Sequence, residues 1–351
     1  MTTLAPAAPR SLLTFVVACL LVGTTALLLC FGALVTTYDA AMAVPDWPAT
    51  YGHNMFLFPL AEWLGGPWDL FLEHGHRLLG ATVGVITLML AGLVFLRRSP
   101  TVLRGLVAAA VLLVIAQGVL GGMRVLLDDK TIAKVHACTG PLFFAVATAI
   151  ATLVWRDRRR PAVASSPGGG GRAETALGSG RGRSLPPVAL PSWATAGFVP
   201  PALVVAAYLQ LVAGAQLRHM EASATPLDFR WLVTLHLLGA AAVTVLATLA
   251  WLAWQPHEPL AARQWSRVIV GLVVGQVLLG CGAWLVNYGV PGGWLPDTWS
   301  GPLVARSVRA ALVTTGHAVL GMLILGAAVV MSLVWTGAGA ATGRSWGEAP
   351  A

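Results

Sequence analysis

Apolar residues dominate this chain in eight long runs that are separated by shorter polar segments. Each run is long enough for an α-helix to cross the hydrocarbon core of a membrane, which takes about 20 predominantly apolar residues. The pattern predicts an all-α polytopic membrane protein with eight transmembrane helices, over residues 12–36, 73–96, 102–123, 131–155, 194–217, 230–254, 265–287 and 308–335. The first run is longer than a signal-peptide core, so we expect it to be retained as a span.

Composition and charge support the membrane assignment. Only 10% of the 351 residues are charged and 57% are hydrophobic, whereas soluble proteins average about 25% charged residues. The net charge of +8 would suit a protein that binds nucleic acid. However, most Lys and Arg residues lie in segments that are cytoplasmic if the N-terminus is inside. The outer segment 38–72 contains Asp and Glu but no Lys or Arg, as expected because positive charges favour the cytoplasmic side. The charge therefore indicates topology, with a cytoplasmic N-terminus and no nucleic-acid partner. All four cysteines lie in apolar runs, so we expect neither disulfides nor a cysteine zinc site.

The chain divides into two similar halves. Residues 156–192 are rich in Gly, Pro, Ser and Arg and are predicted to form a flexible cytoplasmic linker. The linker joins an N-terminal four-helix bundle, residues 1–155, to a C-terminal one, residues 193–340, and a tail follows over 341–351. AQGVLGG at 116–122 resembles GQVLLGC at 275–281. Because each half has an even number of spans, the two bundles share one orientation and are pseudo-symmetric.

Each even-numbered span carries a histidine a few residues after its outer end. Ionisable residues inside spans are costly and point to function, and neutral imidazole is a good iron ligand. A lone span histidine also suits a hydrogen bond to a neighbouring helix. The fourfold repeat, with a small residue four positions later each time, favours haem clamped between facing helices. The predicted iron-ligand pairs are His76 with His136 and His236 with His317, one haem per half.

The densest cluster is EHGHRLLG around His76. Glu73 and His76 are three residues apart and therefore share a helix face, where a carboxylate can move protons. Val233 takes the place of Glu73 in the second half, so we expect chemistry at the N-terminal site and a permanent cofactor at the C-terminal one. The alternative for Glu73 is an interfacial residue near the positive end of the helix. We expect His74 at the interface as well.

Arginine side chains near the outer ends of the spans are candidates for haem carboxylates, because the guanidinium fork matches a carboxylate. Arg77, next to His76, is the strongest candidate. For the other basic residues on this side, snorkelling to lipid headgroups is the favoured interpretation. These residues are Lys134, Arg218, Arg230, Arg306 and Arg309.

Taken together, these residues resemble the haem A synthases, eight-span membrane enzymes built from two four-helix halves. The resemblance covers most of the chain and rests on Glu73, His76 and Arg77, on the three further span histidines, and on PDWP at 45–48. It implies oxidation of a ring methyl of haem O to a formyl group, giving haem A for cytochrome oxidase. It also implies a haem b cofactor on His236 and His317, the haem O substrate at His76 and His136, and Glu73 as the catalytic residue.

The resemblance further implies the plasma membrane of a bacterium and, as partners, haem O synthase, cytochrome oxidase assembly proteins and an electron donor that the sequence does not identify. A homo-oligomer stays open. The cysteines that often flank the DWP segment in that family are absent, since Val44 precedes PDWP and Tyr51 follows it. Two other functions remain: a bis-histidine cytochrome that relays electrons without modifying haem, and a haem transport or assembly chaperone.

Overall fold

The structure is a computed structural model that describes residues 12–159, 197–221, 223–253, 260–289, 304–305 and 307–341. Within these residues eight helices are long and apolar enough to cross a membrane, and the predicted all-α polytopic membrane fold is confirmed. The spanning helices are α1 (Leu12–Thr37), α3 (Trp68–Leu96), α4 (Thr101–Leu127), α5 (Lys130–Arg159), α6 (Val199–Arg218), α7 (Pro226–Ala253), α8 (Leu260–Tyr288) and α9 (Val308–Ala341).

Helix ends differ from the predicted ones by a few residues. The largest shift that bears on the site is at α3, which begins at Trp68, five residues before the predicted start. Pro67 precedes the helix and Asp69 lies in its first turn, both of which favour a helix start. Glu73 therefore lies in the second turn and not at the helix end. At the other boundary α5 runs to Arg159, so residues 156–159 of the predicted linker are helical; the rest of that linker and the tail after Ala341 lie outside the described residues.

The segment between α1 and α3, residues 38–67, is called the long loop here, and its side of the bundle the long-loop side. It contains the short antiparallel strands β1 (Ala49–Thr50) and β2 (His53–Asn54) and the helix α2 (Leu60–Gly65). The two turn residues, Tyr51 and Gly52, have φ of 48° and 78°, as tight hairpin turns require. Both donate their backbone N–H to Asp46, at 2.9 and 2.8 Å. Partial burial acts to raise the pKa of Asp46, but these N–H groups lower it below its usual value.

Each half packs its own apolar core at the end of the bundle away from the long loop. In the first half Leu21, Leu90 and Ile150 are completely buried, and in the second half Leu203, Ile269 and Leu325 are. The halves also contact each other directly. Gly326 of α9 receives the ring of Phe144 from α5, and the hydroxyls of Thr37 and Thr315 are 3.0 Å apart between α1 and α9. Dry packing therefore fixes one end of the bundle, and polar side chains occupy the other.

Candidate functional site

The structure brings the four span histidines together as two pairs near the long-loop side. The ring centroids of His76 on α3 and His136 on α5 are 6.4 Å apart, with an angle of 82° between the ring planes. Those of His236 on α7 and His317 on α9 are 6.1 Å apart, at 63°. All four helices begin on the long-loop side, so histidines a few residues from each start lie at similar depth.

Each imidazole lies against a glycine of the preceding span. A Cβ atom added at any of these glycines would come within 2.9 to 3.3 Å of the histidine Cε1 atom, which is closer than ordinary van der Waals contact. The absence of a side chain therefore lets the ring lie directly on the neighbouring helix backbone. The contacts join His76 to Gly32, His136 to Gly121, His236 to Gly214, and His317 to Gly280.

Two of the histidines are also oriented by a backbone carbonyl. The Nδ1 atom of His76 is 3.2 Å from the carbonyl oxygen of Leu28, and that of His317 is 3.2 Å from the carbonyl oxygen of Gln276. A carbonyl oxygen can only accept, so Nδ1 carries the proton and Nε2 keeps a free lone pair. This is the usual arrangement for a metal-bound histidine, whose other nitrogen donates to a carbonyl or carboxylate.

The remaining two histidines have different Nδ1 surroundings. Nδ1 of His136 is buried and, among the described residues, has no hydrogen-bond partner, although the Gln117 carbonyl is close to it. Gln210 places its Nε2 atom 3.2 Å from Nδ1 of His236 and donates to the His236 carbonyl at 2.8 Å. For Nε2 of His236 to bind iron as a neutral ligand, its Nδ1 must carry the proton, and the Gln210 amide oxygen must turn towards it.

The supporting residues share a spacing that the sequence analysis did not use. In every case the residue near Nδ1 lies four positions before the glycine under the ring, on the same helix. In three of the four sites this residue is glutamine, so a Gln-x-x-x-Gly pattern in the span before each histidine would have found them. The pairs are Leu28 with Gly32, Gln117 with Gly121, Gln210 with Gly214, and Gln276 with Gly280.

The spacing of each pair fits two histidines that bind one metal ion between them. Two metal–nitrogen bonds of about 2 Å, plus the distance from each Nε2 to its ring centre, would put the two imidazole centroids about 6 Å apart. The observed separations are 6.4 and 6.1 Å. Haem iron would need from the protein only two such ligands. The Nδ1 atom of His136 is buried and has no hydrogen-bond partner among the described residues, so a bound ligand could reorient this ring. Together with the spacing of the pairs, this means that the residues present fit haem.

Beside the first pair, Glu73 is buried, with 4% of its surface exposed. Its Oε2 atom accepts the backbone N–H of Val44 in the long loop, at 2.9 Å. Its Oε1 atom lies 2.7 Å from Nη2 of Arg77, one turn later on α3. The carboxylate is therefore held by a loop and an ion pair, away from water and next to His76.

The Arg77 guanidinium holds the long loop onto α3. Its Nη1 atom donates to the carbonyls of Asp46 and Ala49, at 2.6 and 3.0 Å. Its Nη2 atom donates to the carbonyl of Val44 at 2.6 Å and to Glu73 at 2.7 Å. All four Nη hydrogens are thus used within the protein, and among the described residues only Nε–H has no acceptor and could serve a ligand. The predicted contact of Arg77 with a haem carboxylate stays a prediction.

Two other contacts fix the long loop above the first pair. Arg124, at the end of α4, donates from Nη2 to the carbonyl of Ala41 at 2.7 Å. The indole ring of Trp47, within PDWP, lies on Gly122 so closely that a Cβ atom there would overlap it. Gly122 directly follows Gly121, which contacts the His136 ring. The loop therefore reaches the helix segment that supports this histidine.

The expected interfacial position of His74 is wrong. His74 is 2% exposed, and its Nδ1 atom is 3.0 Å from the Thr50 hydroxyl. The rings of Phe58 and Trp63 pack against it, with centroids 5.1 and 5.3 Å away. The early start of α3 and the folding of the long loop over it bury a side chain that hydropathy alone places at the membrane surface.

The second half has no counterpart of the Glu73–Arg77 pair in the described residues. Val233, at the position that corresponds to Glu73, is 6% exposed and packs with Met220 and Phe229. The histidine pairs are therefore alike, while their surroundings differ in charge.

Comparison with known proteins gives one partial similarity. A heme A synthase from Geobacillus thermodenitrificans is 31% identical over 139 residues, which make up 38% of this chain and 40% of that protein. The match thus spans less than half the length of this curated relative. No family model matches the chain. The similarity is consistent with a multi-pass membrane protein whose relative is bacterial.

Proposed function

We propose that this chain is a haem A synthase, a membrane oxidoreductase that converts haem O to haem A. The observation that carries the proposal is the contrast between two nearly identical histidine pairs. Among the described residues, only the first pair has a buried carboxylate, Glu73, one turn from a histidine, His76, on the same helix. The partial similarity to a heme A synthase supports it. One pair would hold a resident cofactor and the other the substrate.

In this proposal His236 and His317 would hold haem b. When bound, haem b supplies one-electron redox chemistry. The protein contributes the orientation of the two imidazoles, which Gly214 and Gly280 receive at short range. Among the described residues, Val233 and its apolar neighbours take the place that Glu73 has in the first half, as suits a cofactor that is not itself modified.

At the other pair, His76 and His136 hold haem O as substrate. Oxidation of its ring methyl to a formyl group takes four electrons from the carbon. In the proposed reaction two successive hydroxylations each consume one dioxygen, two protons and two electrons from the electron donor and release one water. The resulting hydrated aldehyde then loses water to give the formyl group. Each Glu73 oxygen has one protein partner and keeps a second lone pair, so the carboxylate can accept a proton. Val44 and Arg77 fix its position for this role.

We further propose that the chain lies in the plasma membrane of a bacterium with its N-terminus in the cytoplasm, so that the long-loop side faces outwards. Its partners are an electron donor, haem O synthase and cytochrome oxidase assembly proteins.

The activity is tested by expressing the protein in cells that make haem O but not haem A and extracting the pigments. The wild-type protein is expected to yield haem A. Glu73→Gln should abolish the product and leave haem bound at the first pair, because the substitution keeps the shape of the side chain and removes its basic oxygen. Glu62→Gln, at an exposed carboxylate of α2, is the matched control. A folded, haem-loaded wild-type protein that makes no haem A would refute the proposal.

The close similarity of the two pairs also favours a second candidate, a bis-histidine cytochrome that relays electrons between a quinol and a partner. In that case Glu73→Gln should leave electron transfer nearly unchanged, and no haem A should form. A haem transporter or chaperone would release its haem readily and also make no product. Counting and identifying the haems of the purified protein separates the three.

A further inference from the structure

Basic side chains gather on the long-loop side where the two halves meet. Arg124 lies in the last turn of α4, Lys134 lies near the start of α5, Arg218 ends α6, and His219 follows it as the C-cap. Burial, followed by the positive charges of Arg218, Arg124 and Lys134, lowers the pKa of His219 to about 4. His219 is therefore neutral near pH 7, and the cluster carries three positive charges in a confined space.

The three charges are compensated unequally. Nζ of Lys134 is 3.6 Å from Oε1 of Glu221, and Arg124 is within electrostatic range of Glu73. Arg218 forms no ion pair with any carboxylate of the described residues. A positive charge inside a membrane protein without a counter-ion is costly, so Arg218 is the member of the cluster that needs an anion.

The Arg218 side chain points into the bundle. Its Nη2 atom donates to the Thr37 hydroxyl at 2.6 Å and to the Ala33 carbonyl at 3.0 Å, both on α1. These bonds contradict the expectation that Arg218 snorkels to the lipid headgroups. Across the part of the chain that the structure covers, its Nη1 and Nε hydrogens have no protein acceptor. Three donors of the guanidinium fork are therefore available to a ligand.

Arg218 is also close to the second histidine pair. It lies four residues after Gly214, which contacts the His236 ring, and so shares the face of α6 that receives this histidine. Four residues correspond to a rise of about 6 Å towards the long-loop side. His317 is within electrostatic range of Arg218. Arg218 therefore lies one helical turn from the histidine pair, on its long-loop side.

We propose that Arg218 binds a carboxylate of the macrocycle held between His236 and His317. This assignment rests on the proposed haem-binding role of that pair. A planar guanidinium with free Nη1 and Nε donors forms two parallel hydrogen bonds to a carboxylate. The headgroup of an anionic lipid offers similar oxyanion chemistry, and the experiment is designed to separate the two sources.

The test compares two probes, haem b and its dimethyl ester, in which both carboxylates are blocked. Full-length protein lacking haem is titrated with each probe by absorbance, in a His76→Ala background that restricts binding to the second pair. We expect the His76→Ala protein, called the parent here, to bind haem b, the diacid, more tightly than its dimethyl ester. Arg218→Gln should bind the diacid about ten- to a hundredfold more weakly, as expected for the loss of charged hydrogen bonds, and should bind the ester unchanged.

Two matched variants control for structure and for charge alone. Thr37→Val removes a hydrogen bond of Arg218 but keeps its charge, and should retain the preference for the diacid. Arg309→Gln, at an exposed arginine near the start of α9, should behave like the parent. Unchanged ester binding by Arg218→Gln also demonstrates that this variant folds.

Other outcomes overturn the assignment. If Arg218→Gln keeps the preference for the diacid, or loses both probes equally, Arg218 does not bind the carboxylate. If it instead retains less phosphatidylglycerol on purification while the preference persists, the anion is a lipid headgroup. The proposed function is tested by other results, which do not involve Arg218. If His236→Ala binds haem b as tightly as the parent protein, the histidine pair does not hold the haem. If the wild-type protein forms no haem A, the proposed activity is wrong.

Discussion

At the scale of single residues, the histidines are oriented by glycines and backbone carbonyls that take no part in metal binding or catalysis. Gly280 lets the His317 ring approach α8, and the Gln276 carbonyl one turn earlier takes its Nδ1 proton. The same geometry recurs at Gly32 and Leu28 for His76. A ligand histidine placed in this way loses little freedom when metal binds, because packing and a hydrogen bond already hold it.

Gly280→Ala should therefore impair the second site. The new Cβ atom would fall 3.0 Å from Cε1 of His317, so the ring must shift and its Nδ1 hydrogen bond must weaken. We expect about tenfold weaker haem b binding, as for other disrupted ligand-supporting contacts, and a shifted absorbance maximum. Gly271→Ala in the same helix meets open space and should leave both properties unchanged. Equal behaviour of the two variants would contradict the positioning role.

At the scale of elements, the long loop is fastened to α3, which carries His76, and to α4, which supports the His136 ring. Arg77 and Glu73 of α3 hold its backbone at Val44, and Arg124 of α4 holds it at Ala41. Trp47 adds an aromatic contact on α4. Among the described residues the fastening relies on charged hydrogen bonds and packing.

Gly122→Ala should loosen this loop because its Cβ atom would overlap the Trp47 ring. We expect several-fold faster proteolytic cleavage within residues 38–67 of the reconstituted protein, since cleavage reports local opening. Gly118→Ala, one turn earlier on α4, meets nothing within 4 Å and should not change the rate. In a Trp47→Ala background Gly122→Ala should have no further effect. A large additional effect there would assign the loosening to another contact.

At the scale of the whole molecule, two similar halves with similar histidine pairs differ in charge around those pairs. The halves are joined through α1, α5 and α9, where Thr37 meets Thr315 and Phe144 meets Gly326. A permanently bound ligand in one half therefore stabilises an assembly that includes the other. Binding to the folded state adds about 2.7 kcal/mol when the free ligand is at a hundred times its Kd.

Removing the histidines should thus have unequal effects. His236→Ala and His317→Ala should lose haem b and melt at lower temperature. His76→Ala and His136→Ala should keep haem b and most of the stability but accumulate haem O or a partly oxidised haem, because a substrate site must release its ligand each turnover. Haem b occupancy and thermal stability of the four variants provide the measurement. Equal loss of haem b from both pairs would contradict this division, and preferential loss from the first pair would reverse it.

The sequence by itself determined the number of spans, the pairing of one histidine with each even span, and the asymmetry at Glu73. These features are local: bilayer thickness sets the length of an apolar run, and alternate crossing places equivalent histidines at equal depth. The tertiary structure alone decided what each group contacts. Arg77 reaches Val44 across 33 positions and His76 reaches Leu28 across 48, and no periodicity in one helix specifies such contacts between helices. For the same reason the burial of His74 and the inward turn of Arg218 follow only from how the long loop and α1 pack against their neighbours.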